Sequence, residues 1–384
     1  MNSLTKFFAA TLMLLFAPLT LAANPLIPAA PQVAAKGFLL VDAHSGKVLV
    51  SHNADEALPP ASLTKMMTSY IATHEIEKGN ISEQDKVRVS IKAWKTPGSR
   101  MFIKEGTSVS VGDLLKGIII QSGNDASVAM AEFIAGSEDA FADLMNQHAN
   151  LLGMDSTHYM NATGLPAKHH YTTASDLAKL ARATIIDHPD HYGIYAEKEF
   201  TYNDIRQPNR NKLLWRDKSV DGLKTGHTEE AGYCLVASAE RGGMRLIAVV
   251  LGTKSEEARA TETQKLLTYG FRYYETRKLY SAGEVLEEPK VWGGASDQVK
   301  LGVVEDVFIT VPRGQYSSLQ ASLLVDEYIT GGVEAGKEYG NIKVQLQDQT
   351  VLDQPLVALE SVEPGGFFKR LWDQLVLFFV KLIS

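Results

Sequence analysis

Apolar and polar positions divide the chain into a leading run, an interleaved middle and a β-patterned tail. Lys6 precedes a nearly unbroken apolar stretch, Phe7 to Leu21, that ends in Ala22-Ala23. A charged start, an apolar centre and a small-residue exit are the layout of a secretory signal peptide, cut after Ala22 or Ala23. The stretch contains Pro18 and falls short of the roughly 20 apolar residues that a span needs. From Gly37 to Asp42 apolar residues alternate; after a turn at His44-Ser45-Gly46 the pattern resumes from Lys47 to His52, which predicts a hairpin. Pro59-Pro60 halts the chain before a helical pattern from Ser62 to about Lys78, closed by Gly79. Val111 to Gln121 reads as a buried helix broken at Ser122-Gly123-Asn124. Further helices are expected from Ala126 to Ala135, ending at Gly136, and from Glu138 to Leu152, stopped by Gly153.

Two strongly apolar strands follow, Cys234 to Ala239 and Arg245 to Leu251, joined through Arg241-Gly242-Gly243 as an antiparallel pair. A helix from Glu256 to about Glu275 comes next. Helices interleaved with antiparallel strands imply an α+β or mixed α/β core. Past Ser281 only short β-like runs remain (307 to 311, 319 to 325, 341 to 346, 356 to 359), predicting a separate small all-β domain. After Pro364-Gly365-Gly366 the periodicity returns to that of a helix. Lys369, Arg370, Asp373, Gln374 and Lys381 fall on one side, with Phe368, Leu371, Trp372, Leu375, Phe378, Phe379, Leu382 and Ile383 on the other. Leu377 and Val380 blur the polar face. The charges are too frequent for a bilayer span, but such a helix can lie in the membrane interface; the competing reading docks it on the protein's own core. The segments are thus 1–23 for the signal, 26–285 for a catalytic domain, 286–362 for the all-β domain and 363–384 for an amphipathic anchor.

Composition narrows the function classes. A net charge of −7 without a long basic run argues against a nucleic-acid partner. Cys234 is the single cysteine, so no intrachain disulfide forms. The ten histidines show no metal-ligand spacing, His169-His170 and His188-Pro189-Asp190-His191 included. No metal and no cofactor is expected.

Three segments carry chemistry. In Ser62-Leu63-Thr64-Lys65 the serine and lysine are three apart at a helix start, so both emerge on one face. A serine hydroxyl needs a base to become a nucleophile, and a lysine that is desolvated or set beside another cation can serve as one. The helix N-terminus adds N–H groups where an oxyanion forms. Ser122-Gly123-Asn124 supplies a hydroxyl for proton relay and an amide to hold a substrate carbonyl. Lys224-Thr225-Gly226-His227 before the apolar strand offers a charge, a hydroxyl and open backbone for an extended peptide. Each alone has a bland reading, and Ser-Leu-Thr-Lys even recurs at Ser3 to Lys6. Their order and their positions at breaks and edges make them one pattern, that of penicillin-binding proteins and class A β-lactamases.

On these residues the chain resembles the low-molecular-mass penicillin-binding proteins, the serine-type D-alanyl-D-alanine carboxypeptidases of an S11-like peptidase family. The resemblance runs from about Phe38 to the C-terminus. It includes Pro60-Ala61-Ser62-Leu63-Thr64-Lys65-Met66-Met67, Ser122-Gly123-Asn124-Asp125-Ala126, Asn209-Arg210-Asn211, Leu213-Leu214-Trp215 and Asp221-Gly222-Leu223-Lys224-Thr225-Gly226-His227. It implies a β-lactamase/transpeptidase-like catalytic domain that removes the terminal D-alanine from peptidoglycan pentapeptide stems, binds β-lactams covalently, limits cross-linking and affects cell shape. By the same resemblance Ser62 attacks, Lys65 is the base and Ser122 with Lys224 moves protons or polarises the site. Asn124 and Thr225 hold substrate, and the N–H groups of Ser62 and His227, next to Gly226, form the oxyanion hole. Arg259 binds the free carboxylate, for which an exopeptidase needs a fixed cation. Its location would be the periplasmic face of the inner membrane, reached by export, with the C-terminal helix on the membrane surface; a homodimer is left open. A β-lactamase of the same fold is disfavoured because no glutamate lies between Leu152 and Ala174. The remaining alternatives are a DD-endopeptidase and a non-catalytic penicillin-binding scaffold.

Overall fold

A computed structural model describes residues 27–383; the segment read as a signal peptide lies outside them. The hairpin strands Gly37–Asp42 and Val48–His52 form one edge of a five-stranded antiparallel sheet. Met244–Thr253, Gly232–Arg241 and Val220–Thr228 complete it, in that order. Gly242 and Gly243 turn between two of these strands with φ +56 and +79, the left-handed pair that matches the twist of a tight hairpin. Successive side chains point to opposite faces, and here both faces are buried. Leu39, Val41, Ile247 and Val249 join the helical layer on one side. Leu40, Leu246, Ala248 and Val250 pack under the helix Glu256–Tyr273 on the other.

The helical layer consists mainly of Lys65–Glu77, Val111–Lys116, Asn124–Ala135, Glu138–Leu151 and Ala174–Asp187. The last was not expected from the sequence, although Thr173 caps it through the N–H of Asp176 at 3.1 Å. Such a cap contributes about 1 kcal/mol. The expected helix from Val111 to Gln121 exists, but its last turn, Gly117–Gln121, widens into a π-turn, a form frequent at functional sites. Met101 fills the space a side chain at Gly117 would need: a Cβ there would sit 2.3 Å from its sulfur.

The helix after the sheet stops at Tyr273, short of the boundary expected at Glu275. Strand Tyr274–Tyr280, read from the sequence as part of the catalytic segment, pairs instead with Val307–Pro312 in the β-rich half. There a second five-stranded sheet, with long strands Leu319–Val325, Glu338–Leu346 and Gln349–Ala358, covers a core of Val291, Leu301, Ile309, Ile342, Val344 and Leu356. The halves are joined by a buried hydrogen-bond network. Asp42 accepts from Thr276 at 2.7 Å and Ser45 at 2.9 Å, and Thr310 lies 2.6 to 2.7 Å from both hydroxyls. His44 stacks on Phe308 at 4.6 Å beside it.

The C-terminal helix Phe367–Ile383 docks on the β-rich half through its polar side. Gly293 N–H donates to Asp373 at 2.8 Å, Lys369 pairs with Asp297 at 2.6 Å, and Leu377 is buried with them. The apolar side faces away from the protein, with Phe368 84%, Trp372 65% and Leu382 72% exposed. The helix is therefore docked, but by the face opposite to the one a core would take. Among the described residues no helix is long and apolar enough to cross a membrane.

Candidate active site

The three expected segments meet where the edge strand Val220–Thr228 passes the start of helix Lys65–Glu77. Ala61–Thr64 forms a 3-10 turn that leads into that helix. This turn sets Ser62 half-exposed at the surface of a cleft and Lys65 fully beneath it. Two glycines allow the approach. A Cβ on Gly226 would press on Leu63, Pro60 and Ala61 at 3.2 to 3.3 Å, and one on Gly164, whose φ is +83, would sit 1.8 Å from the Ala61 carbonyl oxygen. Ala61 and Ser122 both take left-handed backbone, at φ +47 and +65. Such conformations persist only where the surroundings over-determine them, and they gather at functional sites.

The cleft has a volume of about 240 Å³, and Ser62, Ser122, Asn124, Thr225, Gly226, His227 and Arg259 all line it. Lys65 Nζ stands 3.1 Å from Ser62 Oγ and donates to the Thr163 carbonyl at 2.5 Å. Across the cleft Lys224 Nζ donates to Ser122 Oγ at 2.8 Å and to the Thr225 carbonyl at 3.1 Å. Asn124 donates to the Pro97 carbonyl at 2.6 Å, leaving its buried Oδ1 without a partner among the described residues. Arg259 donates to the Gly226 carbonyl at 3.3 Å, and its guanidinium lies 5.7 Å from the ring of Tyr233. It is 4% exposed, so its solvated reading on a helix surface does not hold. His227 is exposed at the rim and stacks on Tyr233 at 3.9 Å. A larger open groove of about 560 Å³ along helix Glu256–Tyr273 contains none of these groups.

The electrostatics follow from burial. Desolvation, then the nearby charge of Arg210, pulls Lys65 down to about 7, with Asp125 opposing. Lys224 falls well below the lysine range, first through desolvation and then through Lys65, Arg210 and Arg259. Burying an ammonium disfavours its charged form, and neighbouring cations add to the effect. Lys65 is thereby suited to exchanging protons near neutral pH, inside a cleft where Arg210 and Arg259 can attract an anion.

Residues 24–255 match the model of the D-alanyl-D-alanine carboxypeptidase family, peptidase family S11. The chain belongs to that family. Residues 274–364 match the model of the C-terminal domain of penicillin-binding protein 5. The chain is 47% identical to D-alanyl-D-alanine carboxypeptidase DacC of Escherichia coli K12 over 95% of its length and 93% of the relative's. To DacA of the same organism it is 45% identical, over 92% and 90%. Among solved structures, penicillin-binding protein 5 from Haemophilus influenzae superposes with a TM-score of 0.83 at 40% identity, covering 87% of this chain and 98% of that one. The carboxypeptidase reading of the sequence, its catalytic and all-β fold and the terminal helix all stand.

Sequence reasoning missed three contributors. Arg210 was noticed only as part of Asn209-Arg210-Asn211, yet it lines the cleft and lowers both lysines. Thr163 acts through its backbone carbonyl, which carries no residue-type signal. Glu256 also lines the cleft but is paired with Lys212 at 3.1 Å. His170, which the sequence left without a role, is buried against Thr64 at 3.0 Å, and burial pulls its imidazole down to about 4. His169 lies away from the cleft lining, its backbone at φ +66.

Proposed function

We propose that Ser62 is the nucleophile of a D-alanyl-D-alanine carboxypeptidase acting on peptidoglycan stem peptides, and of the covalent reaction with β-lactams. The observation that carries this reading is the 3.1 Å contact between Ser62 Oγ and a buried amine that is neutral in part at pH 7. Ser62 Oγ attacks the carbonyl carbon between the two D-alanines while its proton passes to Lys65. The oxyanion is received by the N–H groups of Ser62 and His227, in the manner of preorganised donors. As the C–N bond breaks, the amine of the leaving D-alanine takes a proton through Ser122, which Lys224 contacts. Water then releases the acyl group by the same transfers in reverse. Asn124 Oδ1, buried and without a partner among the described residues, is available to a substrate N–H, and Thr225 lines the same wall. Arg259 and Arg210 supply the positive end for the terminal carboxylate.

Mass spectrometry of the intact protein and of its proteolytic peptides after penicillin exposure tests this: one adduct, on a peptide containing Ser62, is expected, together with D-alanine release from a pentapeptide. An adduct on any other residue overturns the assignment. The pH dependence follows with its sign. Lys65 must be neutral to take the proton, so acylation should rise from pH 5 and level off above about 7. A rate flat from pH 5 to 9 excludes Lys65 as the base.

The same proposal places the protein outside the cytoplasmic membrane and moors it there by helix Phe367–Ile383. Support comes from the outward apolar face, with six or more large side chains exposed along one side; an interfacial helix is held by such an area. Deleting residues 367–384 should move the protein from vesicle-bound to free fractions while leaving turnover of soluble peptides within about twofold. Loss of turnover with release would assign the helix to the fold instead.

A further inference from the structure

Asp125 follows the Ser122-Gly123-Asn124 turn and has no task in the scheme above. Its side chain is 1% exposed, and its oxygens are spent on backbone. Oδ1 accepts from Met101 and Ala126 N–H, both at 2.9 Å; Oδ2 accepts from Phe102 at 2.9 Å and Ile103 at 3.2 Å. Three consecutive amides of a separate segment therefore converge on one carboxylate. Within that segment Met101 and Ile103 are buried while Phe102 between them is 49% exposed, with φ +69. For a bulky aromatic residue this is a true conformational outlier, which the rest of the structure must hold in place.

The held segment begins at the cleft. Gly98 and Ser99 line it, Asn124 N–H donates to the Ser99 carbonyl at 2.7 Å, and Gln121 and Gln207 donate to the carbonyls of Arg100 and Met101 at 3.1 Å each. We infer that Asp125 is a positioning residue: by holding residues 101–103 in their strained path it fixes the Gly98–Ser99 wall against Asn124, and so the seat of the acyl group. This rests on the function proposed above. Asp125 also faces the charges of the site. It opposes Arg210 at Lys65, beside Lys224, whose own field includes Arg259, and from another element Tyr202 faces it.

The test is the second-order rate of acylation by a penicillin, followed from pH 5 to 9 on the full chain. Asp125→Asn keeps the shape but loses the charge and one acceptor. Acylation should fall about ten- to a hundredfold, the cost of a displaced reaction partner, and the acid limb should move to lower pH because Lys65 loses a charge that raises it. Adding Phe102→Gly, which tolerates the left-handed backbone, should return part of the rate. If Asp125→Asn does not fold, Asp125→Glu carries the test: the limb stays while the rate falls, its oxygens being displaced by one methylene. A folded Asp125 variant with the wild-type rate and limb overturns the inference. Failure of the wild type to form the Ser62 adduct in the same run would instead overturn the function it rests on.

Discussion

Ser62→Ala is expected to abolish covalent labelling by penicillin and to lower D-alanine release by about 10⁶-fold, the scale on which loss of a serine nucleophile acts. The side chain is half-exposed in a 3-10 turn whose path is set by Gly164, Gly226 and the Lys65 helix. Its removal should therefore shift stability by no more than about 0.5 kcal/mol, as for surface positions that carry no special structural load. Intact mass after penicillin and the melting temperature, measured together, separate lost chemistry from lost fold. Residual labelling would move the nucleophile to Ser122, the other hydroxyl in contact with a buried lysine.

Lys65→Met should leave a folded protein with acylation about 10²- to 10⁴-fold slower, the usual contribution of a positioned base. The two side chains are of similar length, and position 65 is fully buried. An apolar replacement removes the desolvation cost of an amine, so stability should hold or rise, as seen when buried charges give way to hydrophobes. One loss offsets this, because the Thr163 carbonyl no longer has its donor. The decisive sign is the pH profile: the limb near 7 should disappear along with the rate. A slow variant that keeps that limb would assign it to another group.

The hairpin, the paired apolar strands and the tail strands Val307–Pro312 and Leu319–Val325 were legible because alternation and turn glycines report directly on local backbone, whereas of the ten-residue strand Gln349–Ala358 only the apolar end was read. The helix Ala174–Asp187 was missed, although Thr173 and Asp176 stand at capping distance and apolar residues recur at helical spacing, because four of those residues are alanines, at 174, 178, 181 and 183, whose short side chains mark a buried face weakly. The three motif segments were legible from residue type and order. What escaped was whatever acts through main chain or through a neighbour's field. The Thr163 carbonyl could be any residue's, and Arg210 looks like any loop arginine until Lys65 and Lys224 are seen beside it. The strand Tyr274–Tyr280 illustrates a third kind of miss. It continues directly from the Glu256–Tyr273 helix, so only its partner, Val307–Pro312, far along the chain, reveals that it is β.

The carboxylate of Asp42 is tied to hydroxyls from both halves of the molecule, and a ring stack closes the same seam. A seam fastened by directional bonds at several points resists swivelling far better than a greasy one, which can slide. The mouth of the cleft is thereby held at one heading relative to the β-rich half, like a tool on a stiff handle. Loosening Thr276 or Thr310 should free the two halves to swivel and leave the chemistry of the cleft, which neither residue lines, intact.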